Sequence, residues 1–285
     1  MIKIGMPENH LPIGAVLLGR YKISGVISIH EMSRVYQARD MNFPNVVRHV
    51  AIREILPVTS YPNRRTAIYQ EFEKVAKLFG ELDHPAIPHI YECFESKQCF
   101  YLVMEYDNGL DLAHLIHAYP YMLPPLDMVI KWAVELCDVL DYLHTQQPAP
   151  IIFRNLKPSN ILINHYGRTR LVDFGLARAG WGQQSWMMIG TEGYSAPELQ
   201  TEPASPRSDI YSLAATLYHL LTRHDPNLGQ PFSFADHPSY PTHSGNPVVL
   251  SGLEAIITRA LMVDPSKRYP DALSMKQALE ALPTS

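Results

Sequence analysis

The spacing of apolar and polar positions changes character once along this chain. Up to about residue 105, apolar residues alternate with polar ones or gather in short runs at 16–29, 34–39, 46–55, 88–94 and 99–105, each of strand length. The stretch 65–82 follows another period. Its Ile68, Phe72, Val75 and Phe79 recur at spacings of four and three, which is one face of a helix. Beyond Asp107-Asn108-Gly109 the helical period takes over. At 126–144 it runs through Ile130, Ala133, Leu136, Val139 and Leu143. The stretch 209–221 is almost continuously apolar, as a buried central helix requires, and 253–262 and 272–282 close the chain. The Pro-, His- and Ser-rich stretch 225–247 is predicted to be a long surface loop. The pattern predicts one α+β domain over residues 1–285. A strand-rich lobe at about 12–106 precedes a helical lobe at about 107–285.

Composition narrows the classes of function. With 46% hydrophobic and 18% charged residues, the chain can bury a core and is not of disordered type. A formal net charge of −4 gives no reason to expect nucleic acid or an anionic membrane as partner. No apolar run reaches transmembrane length, and the start Met-Ile-Lys-Ile-Gly lacks the pattern of a signal peptide, so a cytoplasmic protein is expected. Cys93, Cys99 and Cys137 have no metal-ligand spacing and are expected to be small buried hydrophobes.

The segment Phe153-Arg154-Asn155-Leu156-Lys157-Pro158-Ser159-Asn160 resembles the catalytic loop H-R-D-x-x-x-x-N, and Asp173-Phe174-Gly175 follows it as the D-F-G motif should. Further on, 190–198 resembles a substrate-facing loop ending in Ala196-Pro197-Glu198. On these motifs, in fixed order from about residue 21 to 282, the chain resembles bacterial eukaryotic-like (Hanks-type) serine/threonine protein kinases. The resemblance implies the two-lobed protein-kinase fold. It also implies roles for individual residues. Arg268 would pair with Glu198, and Asp209 would brace the catalytic-loop backbone. Val35, Ala51 and Leu162 would sandwich adenine, with Met104 as gatekeeper, Glu105 to Asp107 as hinge and Asp111 at the ribose. Asn160 and Asp173 would bind Mg²⁺. Lys157 would lie near the transferred phosphoryl group, and with Thr191 it suits serine/threonine specificity. Phe79, Ile90, Phe153 and Phe174 match the apolar regulatory spine.

The departures from the family pattern fall on the chemistry. The three glycines of the phosphate-cradling loop are replaced by Ser28, His30 and Ser33, with Glu31 among them, while Gly25 lies three positions too early. Arg53 stands for the phosphate-binding lysine of V-A-I-K, a longer, planar and forked group. The glutamate expected to pair with it falls on Val75, with Glu71 one turn earlier on the same helix face. Asn155 replaces the catalytic aspartate, and a neutral amide cannot accept the substrate's proton.

The sequence therefore reads as a pseudokinase. It is expected to act as a protein-binding or regulatory module, with weak or no ATP binding and no ordinary phosphotransfer. It requires no cofactor, and ATP and Mg²⁺ bind weakly if at all. A protein partner is implied, an active kinase or its substrate, and no nucleic acid or membrane within this chain. The segment 181–189, with two Trp and two Met, would pack on the helical lobe or form a partner surface. The alternative is an active or weakly active ATP-dependent serine/threonine kinase with a non-standard site.

Overall fold

The computed structural model describes residues 10–29, 33–56, 70, 72–74, 76–119, 122–173, 178–179, 191–226, 232–234 and 246–283. Val75, Glu71, His30, Glu31, Phe174 and the segment 181–189, each singled out by the sequence, lie outside the described residues. So does most of the 225–247 stretch. The chain is α+β and divides into two compact units. One comprises the described residues up to Asp83 together with Pro88–Asp107. The other comprises His84–Ile87 and the described residues from Asn108 onward.

The first unit is built on a six-stranded antiparallel sheet of order β1-β2-β3-β4-β6-β5. Its strands are β1 (Val16–Leu17), β2 (Tyr21–Ile29), β3 (Ser33–Asp40), β4 (His49–Ile55), β5 (Ile90–Ser96) and β6 (Cys99–Glu105). The run expected as one strand at 16–29 is two strands. Leu18 and Gly19 between them take positive φ, 49° and 65°, and reverse the chain. The 46–55 run begins as strand only at His49.

Alternation along the strands separates two cores. Tyr21, Ile23, Tyr36, Val50, Ile52, Tyr101 and Val103 cluster on one face, where Leu11 and Ala15 pack over them. On the other face, Phe100 and Leu102 meet Phe72 and Ala76 of helix α1, whose described residues are 70, 72–74 and 76–80. The Phe72 and Phe100 rings stack there at 5.7 Å.

In the second unit, α3 (Leu126–His144) and α4 (Pro206–Thr222) form the core with α5 (Pro247–Ala260) and α6 (Ala272–Glu280). Helix α4 opens on a reciprocal capping box of Ser205 and Ser208 with Pro206 in its first turn, and residues 208–221 are buried throughout. Three short strands, β7 (Leu110–Asp111), β9 (Ile161–Ile163) and β10 (Thr169–Leu171), pair in the order β10-β9-β7. β8 (Ile151–Ile152) pairs with β11 (Arg178–Ala179). Helix α2 (Leu112–Ala118) did not stand out in the sequence.

The cysteines depart partly from expectation. Cys137 is fully buried in α3, where burial pushes its thiol well above the ordinary range. Cys93 is exposed; it lies on β5, which among the described residues ends the sheet and pairs with β6. Cys99 is half-buried.

Two glycines make contrasting tests of the packing. A Cβ at Gly109 would lie 2.7 Å from the Ile163 carbonyl oxygen, and backbone there cannot give way without breaking the β7/β9 pairing. Gly109→Ala is expected to cost about 1–3 kcal/mol in urea unfolding. A Cβ at Gly252 meets at 2.5 Å only Leu282 Cδ2, the end of a flexible side chain. Gly252→Ala in the helix interior is therefore expected to be near neutral, since alanine regains roughly 1 kcal/mol of helix propensity. Equal losses at the two sites would contradict this packing.

Candidate functional site

In the sheet unit, register decides which side chains share a face. Val35 pairs with Arg53, and Arg53 with Leu102. Ala51 pairs with Met104. Directly opposed residues point the same way and successive residues alternate, so Val35, Ala51, Arg53 and Met104 lie on one face. That face also carries Leu102 and Ile55, which pack toward α1. Burial pushes the Arg53 guanidinium down to about 10, so it sits in a site costly for charge.

The neighbouring Glu54 faces the opposite side. There its carboxylate accepts from Tyr36 Oη at 2.8 Å and Tyr101 Oη at 2.7 Å and pairs with Arg34 at 3.3 Å. This buried hub was not visible in the sequence, because its members come from three strands and Glu54 stands 47 positions from Tyr101. Glu105 ends β6. Its backbone N–H donates to the His89 carbonyl at 2.8 Å and its side chain accepts from His89 N at 3.3 Å. Asp107, the last hinge position, is half-buried at the unit's end.

The β2/β3 hairpin bears on the missing glycines. Ser28 pairs with Val35 and Ile29 with Arg34, so the ladder runs through the position of the first glycine. Ser28 thereby places a side chain on the face of Val35 and Arg53. Ser33 is buried and paired with Ile55.

In the helical unit, Asp111 pairs with Leu162 across β7 and β9. Asp111 is also the N-cap of α2, its Oδ1 accepting from His114 N at 2.7 Å, so it has a structural task of its own. The loop 153–160 is held from beneath by Asp209. Its carboxylate accepts from Phe153 N and Arg154 N, both at 2.8 Å, as the motif implied. His144 Nε2 adds a contact to the same carboxylate at 2.9 Å. No local spacing in the sequence marks His144 for this contact, since 65 positions separate the pair. With these anchors Arg154 adopts φ 63°.

Above this base, three predicted residues come together. Asn155 Nδ2 meets Asp173 Oδ2 at 3.4 Å, and Asn160 Nδ2 donates to the Asn155 carbonyl at 2.8 Å. Val172 N closes the loop onto the Asn160 carbonyl at 2.9 Å. An ionised carboxylate only accepts, so it is the NH₂ side of Asn155 that faces Asp173. Lys157 is half-buried, which lowers its pKa, and its carbonyl accepts from Asn160 N at 2.9 Å.

Thr191 lies in a separate turn, its carbonyl accepting from Tyr194 N, Ser195 N and Ser195 Oγ. Glu198 and Arg268 form the expected fork at 2.7 and 2.8 Å.

Tyr194 Oη is hydrogen-bonded with His219 Nδ1 on α4 and lies against Asp225. Burial pushes His219 down to about 4, against the opposing pull of Asp225. The unfolded imidazole, with its ordinary value near 6.5, takes up its proton first as the medium is acidified. Stability is therefore lost between about pH 6.5 and 4, on the order of 1–2 kcal/mol after screening. Glu198 adds to the acid loss. Burial alone would raise its pKa, but Arg268 and Ser208 outweigh that and hold it below the ordinary range. The stability advantage of the wild-type chain over His219→Gln is expected to shrink as pH falls through that window. Parallel pH profiles would contradict it.

Comparison with known proteins bears on the same residues. Residues 22–281 match the protein kinase domain family. The chain is 31% identical over 279 residues to a probable serine/threonine-protein kinase of Streptomyces coelicolor, covering 92% of this chain and 40% of that protein. It is 31% identical to the serine/threonine-protein kinase PknB of Mycobacterium leprae, over 92% of this chain and 43% of that one. It is 34% identical to PrkC of Bacillus subtilis, over 93% and 40% respectively. The chain thus spans about two fifths of the length of these curated relatives. A solved structure, the apo form of PpkA-294, superposes with a TM-score of 0.74 at 20% identity, over 95% of this chain and 100% of the other. At that identity the likeness speaks for the fold alone.

Proposed function

The chain belongs to the protein kinase domain family, among its bacterial eukaryotic-like serine/threonine kinases, and from that membership we propose that it works as a pseudokinase. In this reading it is a cytoplasmic protein-binding or regulatory module that transfers no phosphoryl group at an ordinary rate. Its partner is a protein, an active kinase or that kinase's substrate.

One observation carries the reading. The residue in the catalytic-base position, Asn155, turns its NH₂ toward Asp173. Its remaining oxygen is a neutral amide acceptor, which has no affinity for a substrate proton at physiological pH. Ser28 and Arg53 support it from the sheet unit. Ser28 adds a side chain to the ladder where a glycine would leave room for phosphate. Arg53 replaces a flexible point charge with a half-buried planar fork.

A second reading, a weakly active kinase, is favoured by the retained oxygen donors. Asn160 uses its NH₂ on the Asn155 carbonyl, and its Oδ1, with Ser159 Oγ at 3.5 Å, remains an acceptor in the loop whose Asn155 meets Asp173. One carboxylate and one amide oxygen suit Mg²⁺, with ATP phosphates completing its shell. Bound there, the ion would neutralise phosphate charge. Positioning and electrostatics account for most of phosphoryl-transfer catalysis, so slow turnover without a base fits the chemistry.

Calorimetric titration separates the two. The pseudokinase reading expects ATP with Mg²⁺ to bind no better than adenosine, because the phosphates gain no cradle. A micromolar, magnesium-dependent dissociation constant for ATP would favour the weakly active kinase.

A further inference from the structure

We propose that a row of basic side chains across the sheet unit, Lys22, Arg39 and His49, docks an acidic protein segment, an extended stretch with carboxylates at alternate positions. The inference deepens the protein-binding part of the pseudokinase reading and rests on it, whatever the chain's phosphotransfer. Lys22 pairs with Arg39, and Arg39 pairs with His49. Opposed residues point the same way, so the three side chains stand side by side on one face of β2, β3 and β4. Val16 on β1 pairs with Lys22 and extends the row, and the Tyr106 ring lies 5.9 Å from the His49 ring. Lys22 and His49 are exposed, and Arg39 is half-buried. All of these residues belong to the first unit.

The charges of these strands are sorted by face. Asp40 and Glu54 point to the opposite side, where Arg20 holds Asp40 at 2.7 Å and Arg34 holds Glu54 at 3.3 Å. Among the described residues, no carboxylate lies within ion-pair distance of Lys22, Arg39 or His49. Arg39 gives Nη2 to the Pro44 carbonyl at 3.3 Å, which steadies the guanidinium without neutralising it. Like charges directly opposed across a ladder are destabilising, so Lys22 beside Arg39 is unfavourable with nothing bound. An anionic partner reverses the sign. Strands lie about 4.8 Å apart, so the row from Lys22 to His49 is about 10 Å long. Same-side side chains of an extended peptide recur about every 6.7 Å, so two alternate carboxylates fit within the row, each between two donors. The chain as a whole carries −4, which disfavours a long polyanion such as nucleic acid or an anionic bilayer. A short acidic segment is the occupant that fits.

Fluorescence anisotropy of the labelled peptide Thr-Glu-Thr-Glu-Thr, titrated with the full chain at low salt, tests this. The wild-type chain is expected to bind the peptide and to release it as salt rises. Lys22→Gln and Arg39→Gln are each expected to weaken binding about 2–5-fold, and the double variant about 5–20-fold. Lys131 is exposed on α3 in the other unit, and Lys131→Gln, which removes the same charge, should change nothing. Thr-Glu-Glu-Thr-Thr should bind more weakly than the alternating peptide, because adjacent carboxylates point to opposite sides of an extended chain. Lys22→Gln relieves a repulsion, so it is expected to melt no lower than the wild-type chain.

The proposal is overturned if the wild-type chain leaves the alternating peptide unbound, if it holds both peptides equally, or if Lys22→Gln and Arg39→Gln bind as the wild type does. An equal loss in Lys131→Gln would overturn it too, since bulk charge would then be responsible. A Lys22→Gln chain that melts lower would assign Lys22 to the fold instead. Tighter binding of oligo-dT or of phosphatidylserine vesicles, lost in Lys22→Gln, would make the row a site for another polyanion and end the claim of a protein segment. Phosphotransfer by the wild-type chain is a separate readout. It would end the pseudokinase reading without altering what the titrations say about the row.

Discussion

Asn155→Asp alone is expected to leave phosphotransfer at background. A positioned general base contributes about 10²–10⁴ in rate, but only to a substrate already held in line. In this chain the holding parts are altered too. Ser28 continues the strand ladder opposite Val35, and the half-buried Arg53 lies on the same face; the proposed reading takes these two as the changed phosphate contacts. The informative background therefore carries Arg53→Lys, Val75→Glu, Ser28→Gly, His30→Gly and Ser33→Gly together. In that background Asn155→Asp should raise the rate by the full ~10²–10⁴, whereas in the wild-type chain it should raise nothing measurable. Strong activity from the single Asn155→Asp substitution would mean that the nucleotide site was competent all along.

The largest loss of stability is expected from Arg268→Ala. The Arg268 side chain is fully buried and all five of its N–H groups have acceptors. Two bonds go to Glu198, and the rest go to the carbonyls of Met262, Arg207 and Val263. Its guanidinium also lies 4.8 Å over the Tyr211 ring. Truncation leaves the buried Glu198 carboxylate with Ser208 Oγ, at 2.9 Å, as its remaining side-chain donor among the described residues. Breaking a buried pair in this way costs about 3–5 kcal/mol. That is a large part of the 5–15 kcal/mol typical of a whole domain. Arg168 pairs with Glu135 at 2.9 Å, but its side chain is 60% exposed. Arg168→Ala should therefore cost less than about 1 kcal/mol. Urea unfolding of the two variants side by side gives the comparison, and similar losses would contradict the fork's role.

The sequence revealed elements whose signal is periodic and contacts fixed by motif. Helix α3 begins and ends where its apolar period does, at Leu126 and His144. Strand β6 keeps its expected limits, Cys99 and Glu105. The Glu198–Arg268 fork and the Asp209 brace follow from motif residues, although 70 and 56 residues separate the partners. What was not legible depends on backbone angle or on partners without a motif. The break at Leu18 and Gly19 is a pair of positive φ angles inside an apolar run. Helix α2 is only seven residues long, too short for a period, and the family resemblance points to a ribose role for Asp111 rather than to the N-cap it forms. His144, the Glu54 hub and the Tyr194 contact with His219 are side-chain meetings across distant elements. No local spacing encodes them. The turn of the Asn155 amide toward Asp173 is of the same kind. The residue type was evident from the sequence, but its partner needed the fold.

On the proposed reading this kinase fold transfers no phosphoryl group at an ordinary rate. Its most direct test is incubation of the purified chain with radiolabelled ATP and Mg²⁺ or Mn²⁺, beside the Asp173→Ala variant and with a generic protein substrate. Label on the wild-type chain and on the substrate is expected to equal that seen with Asp173→Ala. Robust incorporation by the wild-type chain, lost in Asp173→Ala, would contradict it.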